Sequence, residues 1–142
     1  MNIFKKIYCR IFQGAFRLVL PVLPYREPKI LNSLNEIPDL LEKFPECMIY
    51  TSVDGKEGLA SDKFNLSRYH VDPICYDGNN VEILEDFSSV QLFEGINLYS
   101  ILTPGHDMSS VTYYTDEHIF TGDSYIPGIA VVTTFPRSNK AD

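Results

Sequence analysis

Two runs constrain this chain more than any other feature: Leu102-Thr103-Pro104-Gly105-His106-Asp107-Met108-Ser109-Ser110 and Ile119-Phe120-Thr121-Gly122-Asp123-Ser124. Each starts as a short apolar strand and breaks at a glycine into a loop that carries one chemically useful side chain. Between them, residues 111–115 read as a strand and Asp116-Glu117 as its turn, which together describe a hairpin. A hairpin brings the chain back to the sheet edge it left, so His106 and Asp123 are expected at one rim. A neutral imidazole is a favoured ligand of zinc or iron, and a carboxylate can reach two ions with its two oxygens. Each residue also has a plain reading: a solvated turn histidine, and a turn aspartate bonded to its own backbone. Only the pairing gives them chemical meaning.

The surrounding pattern is strand-rich. Met48–Thr51 reads as a strand and Asp54-Gly55 as a turn, followed by a polar loop or broken helix over 56–72. Strands then recur at 81–84, Ser89–Phe93, Ile96–Leu102, 111–115 and 119–121, with tight turns between them, as in an antiparallel meander. Upstream, Ser33 and Glu36 have capping-box spacing for a helix through Ile37, Leu40 and Leu41 to Phe44, with Pro38 tolerated in its first turn. After Asp123, residues 125–136 are expected to form a turn and one further strand.

Charge divides the chain. Residues 1–31 carry six basic side chains against Glu27 alone, whereas residues 32–142 carry six basic and eighteen acidic ones. An acidic body lacks the basic face that phosphate binding needs, so nucleic acid is not an expected partner. Within the basic part, Phe4, Ile7, Tyr8, Ile11, Phe12, Ala15, Phe16 and Val19 recur at helical steps, which predicts an amphipathic helix over 3–20 ended by Pro21. Such a helix suits an anionic membrane surface, or a face of this protein or a partner.

At 142 residues the chain has room for one modest domain. Cys9, Cys47 and Cys75 show no CxxC spacing, which argues for reduced thiols rather than a disulfide framework or a cysteine zinc knuckle. No run reaches the ~18–20 apolar residues that span a bilayer, and the apolar run at 18–23 is broken by Pro21 with no secretory cleavage pattern after it. A cytoplasmic location is expected.

From about residue 42 to residue 142 the chain resembles the metallo-β-lactamase-fold metallohydrolases. Thr103-Pro104-Gly105-His106 is similar to their third metal motif, and Phe120-Thr121-Gly122-Asp123-Ser124 to their fourth. The resemblance implies that His106 ligates one ion and that Asp123 bridges two. It further implies zinc, or iron, and a small-molecule substrate whose ester, thioester, lactam or phosphodiester bond is attacked by metal-bound hydroxide. The family's leading HxHxDH motif does not occur in this sequence, and its last histidine would fall beyond residue 142. His70, in the polar loop Leu66-Ser67-Arg68-Tyr69-His70, would at most line a pocket, and His118 sits in a hairpin turn. Two ligands do not hold a dinuclear centre, because a catalytic zinc takes three protein ligands.

Residues 1–41 resemble something else. Ile7-Tyr8-Cys9-Arg10-Ile11-Phe12-Gln13 and Leu23-Pro24-Tyr25-Arg26-Glu27-Pro28-Lys29-Ile30-Leu31 are similar to the leader of iron-containing alcohol dehydrogenases. That family's glycine-rich nucleotide turn and iron site have no counterpart here.

The resulting expectation is an α/β fold: a partial metallo-β-lactamase αββα sandwich with one β-rich lobe at 42–142, preceded by the basic amphipathic helix and extended leader of 1–41. One sheet face should stay apolar and uncovered. The expected function is that of a superfamily hydrolase, truncated and inactive alone, with metal ligands His106 and Asp123 and no further catalytic residue. The alternatives are a non-catalytic interaction module docked by the helix, or a dehydrogenase-related fragment.

Overall fold

The computed structural model describes residues 17–20, 29–31, 36–45, 47–69 and 72–139. In chain order these form β1 (Arg17–Leu20), β2 (Lys29–Leu31), α1 (Glu36–Lys43), β3 (Met48–Thr51), α2 (Val53–Leu59), β4 (Val81–Ile83), β5 (Ser89–Phe93), β6 (Ile96–Leu102), β7 (Val111–Tyr114) and β8 (Ile119–Phe120). They build two four-stranded sheets, ordered β2-β1-β3-β4 and β5-β6-β7-β8, rather than the single β-rich lobe expected.

The second sheet is the antiparallel meander that the turn signals describe. The strand at 81–84 does not join it. Val81–Ile83 instead pairs with β3 in parallel, Ile49 opposite Val81 and Thr51 opposite Ile83. Parallel neighbours need a long crossover, and α2 with the following loop provides it. The helix expected over 3–20 lies outside the described residues up to residue 16, and its last four residues form β1 instead. With β2 on one side and β3 on the other, pairing on both edges outweighs the weak helical preference of so short a stretch. Residues on both sides of the boundary expected near 41 therefore share one sheet. Asp54-Gly55, expected as a turn, lies within α2. Among the described residues after Asp123 no further regular strand forms, and a lone bridge joins Ile126 and Ile129.

Two cores follow from the two-residue period of β3. Ile49 points into a cluster with Ile37 of α1, Leu59 of α2, Val81 and Cys47, which seats both helices on the first sheet. Tyr50 points the other way and packs against Leu84, Leu98, Val111 and Tyr113 between the sheets. The layers are thus helices, sheet, sheet. The outer face of the second sheet carries the stacked pair Tyr99 and Tyr114, 5.1 Å between ring centroids. Ile119 on the same face is 66% exposed.

Burial, and second to it the Glu82 carboxylate on β4, raises the Tyr50 phenol above its usual 10.0. The folded chain therefore holds this proton more tightly than the unfolded chain does. The stability it contributes is complete below the ordinary tyrosine pKa and is lost as pH rises through the raised value. Between pH 8 and pH 11, about two units below to one above the ordinary range, the denaturant midpoint should fall more steeply in wild type than in Tyr50→Phe.

Candidate metal site at the rim of the second sheet

His106 lies in the loop between β6 and β7. That loop is closed at its base by Thr103 N–H donating to Ser110 O at 3.0 Å. Asp107 shapes it from within, since its carboxylate accepts from Ser109 N–H at 2.8 Å. The returning hairpin ends at Gly122, whose φ of 56° is left-handed, and Gly122–Ser124 form a 3-10 turn that carries Asp123. The two loops are tied together through Thr103 Oγ1 and Ser124 Oγ, 3.1 Å apart. As a result His106 Nε2 stands 3.6 Å from Asp123 Oδ2, with the side chains 14% and 12% exposed. The juxtaposition expected at one rim is present.

The other ring nitrogen is also engaged. His106 Nδ1 is 2.9 Å from the Val132 carbonyl oxygen, which can only accept, so Nδ1 carries a proton. Fixing one nitrogen in this way directs the other toward a metal in many metal sites. Phe135 sets its ring edge-on to the imidazole at 5.3 Å between centroids. A cavity of about 460 Å³ opens beside these groups, lined among others by Thr103, His106, Ser124, Tyr125 and Val131.

The first sheet reaches the same rim through the β3–α2 junction. Ser52 Oγ accepts from Gly55 N–H at 3.1 Å, capping α2, and donates to Ser109 O at 3.2 Å in the His106 loop. The cap requires a glycine at 55, because a Cβ there would collide with Thr51 Oγ1. Asp54 in the first turn of α2 pairs with Arg137 Nη2 at 2.7 Å, and Glu57 lies 3.9 Å from the same nitrogen. Arg137 also lies over the Phe64 ring, 5.0 Å from its centroid. Sequence reasoning did not single out Ser52, Asp54, Glu57 or Arg137. The available signals were a serine three residues before Gly55 and an arginine in a strongly acidic body.

Two zinc ligands at 2.0–2.2 Å in tetrahedral array stand roughly 3.4 Å apart. The 3.6 Å between Nε2 and Oδ2 therefore fits two ligands of one ion. Among the described residues, however, no group of three or more His, Cys, Asp or Glu is placed to hold an ion. His70 lies outside the described residues, and His118 sits in the β7–β8 turn with its N–H on Thr115 Oγ1 at 3.1 Å. The residues fit half of a metal site and do not fit a complete one.

No family model matches the chain, and no curated protein matches it. Among solved structures it is similar to an archaeal metallo-β-lactamase superfamily protein from Sulfolobus tokodaii, with a TM-score of 0.57 at 22% sequence identity. The likeness is one of fold, to part of a metallo-β-lactamase-like fold. The likeness covers 78% of this chain and 49% of the archaeal one, so the chain spans about half the length of that protein. It bears on the metallo-β-lactamase resemblance and not on the alcohol dehydrogenase one. Among the described residues, no helix is long and apolar enough to cross a membrane.

Ser52 joins a helix cap to the contact between sheets, so Ser52→Ala should cost about 1–2 kcal/mol, the upper part of the range for a lost cap. Chemical denaturation measures this, and Ser61→Ala, whose hydroxyl makes only a partly exposed local bond, should stay within about 0.5 kcal/mol of wild type.

Proposed function

We propose that this chain carries the His106–Asp123 part of a metallo-β-lactamase-type hydrolase site and does not turn over substrate alone. The observation that supports this reading is the 3.6 Å approach of Nε2 to Oδ2 on two loops of one sheet rim, with Nδ1 already held by a backbone carbonyl. Two donors give one ion a weak seat, and zinc is the first candidate with iron second. Hydrolysis of an ester, thioester or related bond belongs to the site once completed. Its remaining ligands would come from a partner chain carrying an HxHxDH segment. The cavity beside His106 and Ser124 is where a small-molecule substrate would lie.

Calorimetric titration with Zn²⁺ tests the pair. Weak binding by wild type should be lost in both His106→Ala and Asp123→Ala, and the purified chain should show no thioester or nitrocefin turnover. Equal zinc affinity in all three proteins would remove the pair as a ligand set. Turnover by the chain alone would overturn its dependence on a partner.

A further inference from the structure

Residues 131–139 cross the His106 loop as an irregular strap. Besides the Val132 carbonyl on Nδ1 and the Phe135 ring edge, Arg137 O accepts from Met108 N–H at 2.9 Å. Ser138 Oγ donates to His106 O at 2.6 Å, and Asn139 N–H donates to Gly105 O at 2.9 Å. The strap therefore sets the Nδ1 side of the imidazole and the backbone of the loop that carries it.

Little in the strap's own packing holds it down. Val132 is 50% exposed and Phe135 43% exposed, so no core anchors it, and hydrogen bonds near solvent contribute little net. Arg137 is the exception. Its side chain is 15% exposed and lies on Phe64 with its guanidinium against Asp54. Asp54 and Phe64 belong to α2 and the segment that follows it, on the side of the first sheet, whereas His106 belongs to the second sheet. The carboxylate is itself 41% exposed, so the charge alone is a weak fastening. The planar guanidinium stacked on an aromatic ring is the part that fixes a position, and lysine does not reproduce it.

We infer that Arg137 is the positioning residue for His106: by clasping the strap to Asp54 and Phe64 it holds the Val132 carbonyl on Nδ1 and so points Nε2 at Asp123. The use of that nitrogen as a ligand rests on the function proposed above, but its orientation does not.

Nitrogen-15 NMR of the histidine side chains in the full chain reads the orientation directly. In wild type the His106 proton sits on Nδ1. In Arg137→Gln that signature should be lost as the ring averages over both tautomers, while His118 keeps its wild-type signals. Phe64→Leu removes the stacking ring and should give the same loss, Asp54→Asn, which keeps the stack, a smaller one, and Arg137→Lys should restore it only in part. A wild-type His106 pattern in a folded Arg137→Gln overturns the inference. So does an equal change at His118, which would mark general loosening. Should Arg137→Gln not fold, Phe64→Leu decides by the same criteria. The zinc titration fails or succeeds independently: loss of zinc binding in wild type removes the ligand pair and leaves the clasp standing.

Discussion

Strand β3 is the element that the rest of the structure depends on, because its two faces are buried in different cores. Ile49, fully buried, closes the layer under α1 and α2, and Tyr50 enters the layer between the sheets. Its edges are equally committed, antiparallel to β1 and parallel to β4. A strand buried on both faces and paired on both edges cannot slip by one residue, since every side chain would change layers. The register of the first sheet is thus fixed, and with it the place where the chain leaves the sheet at Ser52.

That exit point decides how the two sheets meet. Ser52 caps α2 and reaches into the His106 loop, and two residues later Asp54 receives Arg137 from the far end of the described chain. Arg68 pairs with Asp62 six residues away, an exposed local contact. Arg137 instead spans 83 residues to Asp54 and joins layers that no strand ladder connects. In a body with eighteen acidic and six basic side chains, many carboxylates are available to a cation. Phe64 provides the selectivity that charge does not.

Much of this was legible in the sequence, in a particular way. Met48–Thr51, Ser89–Phe93 and Ile96–Leu102 stand where turn residues and apolar runs placed them, because these signals are local. The α1 helix follows from Ile37, Leu40, Leu41 and Phe44, all packed in its core as their spacing required. The partnering of Val81–Ile83 was not legible, since three residues carry no sign of parallel or antiparallel company. Asp54-Gly55 reads as a turn by composition, whereas in the fold it is the first turn of a helix capped by Ser52. The approach of His106 to Asp123 was legible because each follows a strand and a glycine in the chain, with a hairpin between them. The Arg137 clasp was not, because nothing local to residue 137 announces a partner at residue 54.

The imidazole of His106 has an acceptor at each nitrogen, the Val132 carbonyl and the Asp123 carboxylate. A proton satisfies the first at 2.9 Å. At 3.6 Å the second is too long for a hydrogen bond. On the function proposed above, a cation would sit between Nε2 and Oδ2. The β3–α2 junction arrives at the same rim. Its polar side chains are committed elsewhere: Ser52 to the cap and to Ser109, Asp54 to Arg137. The contacts that bring the first sheet to the rim therefore occupy the polar side chains it presents there.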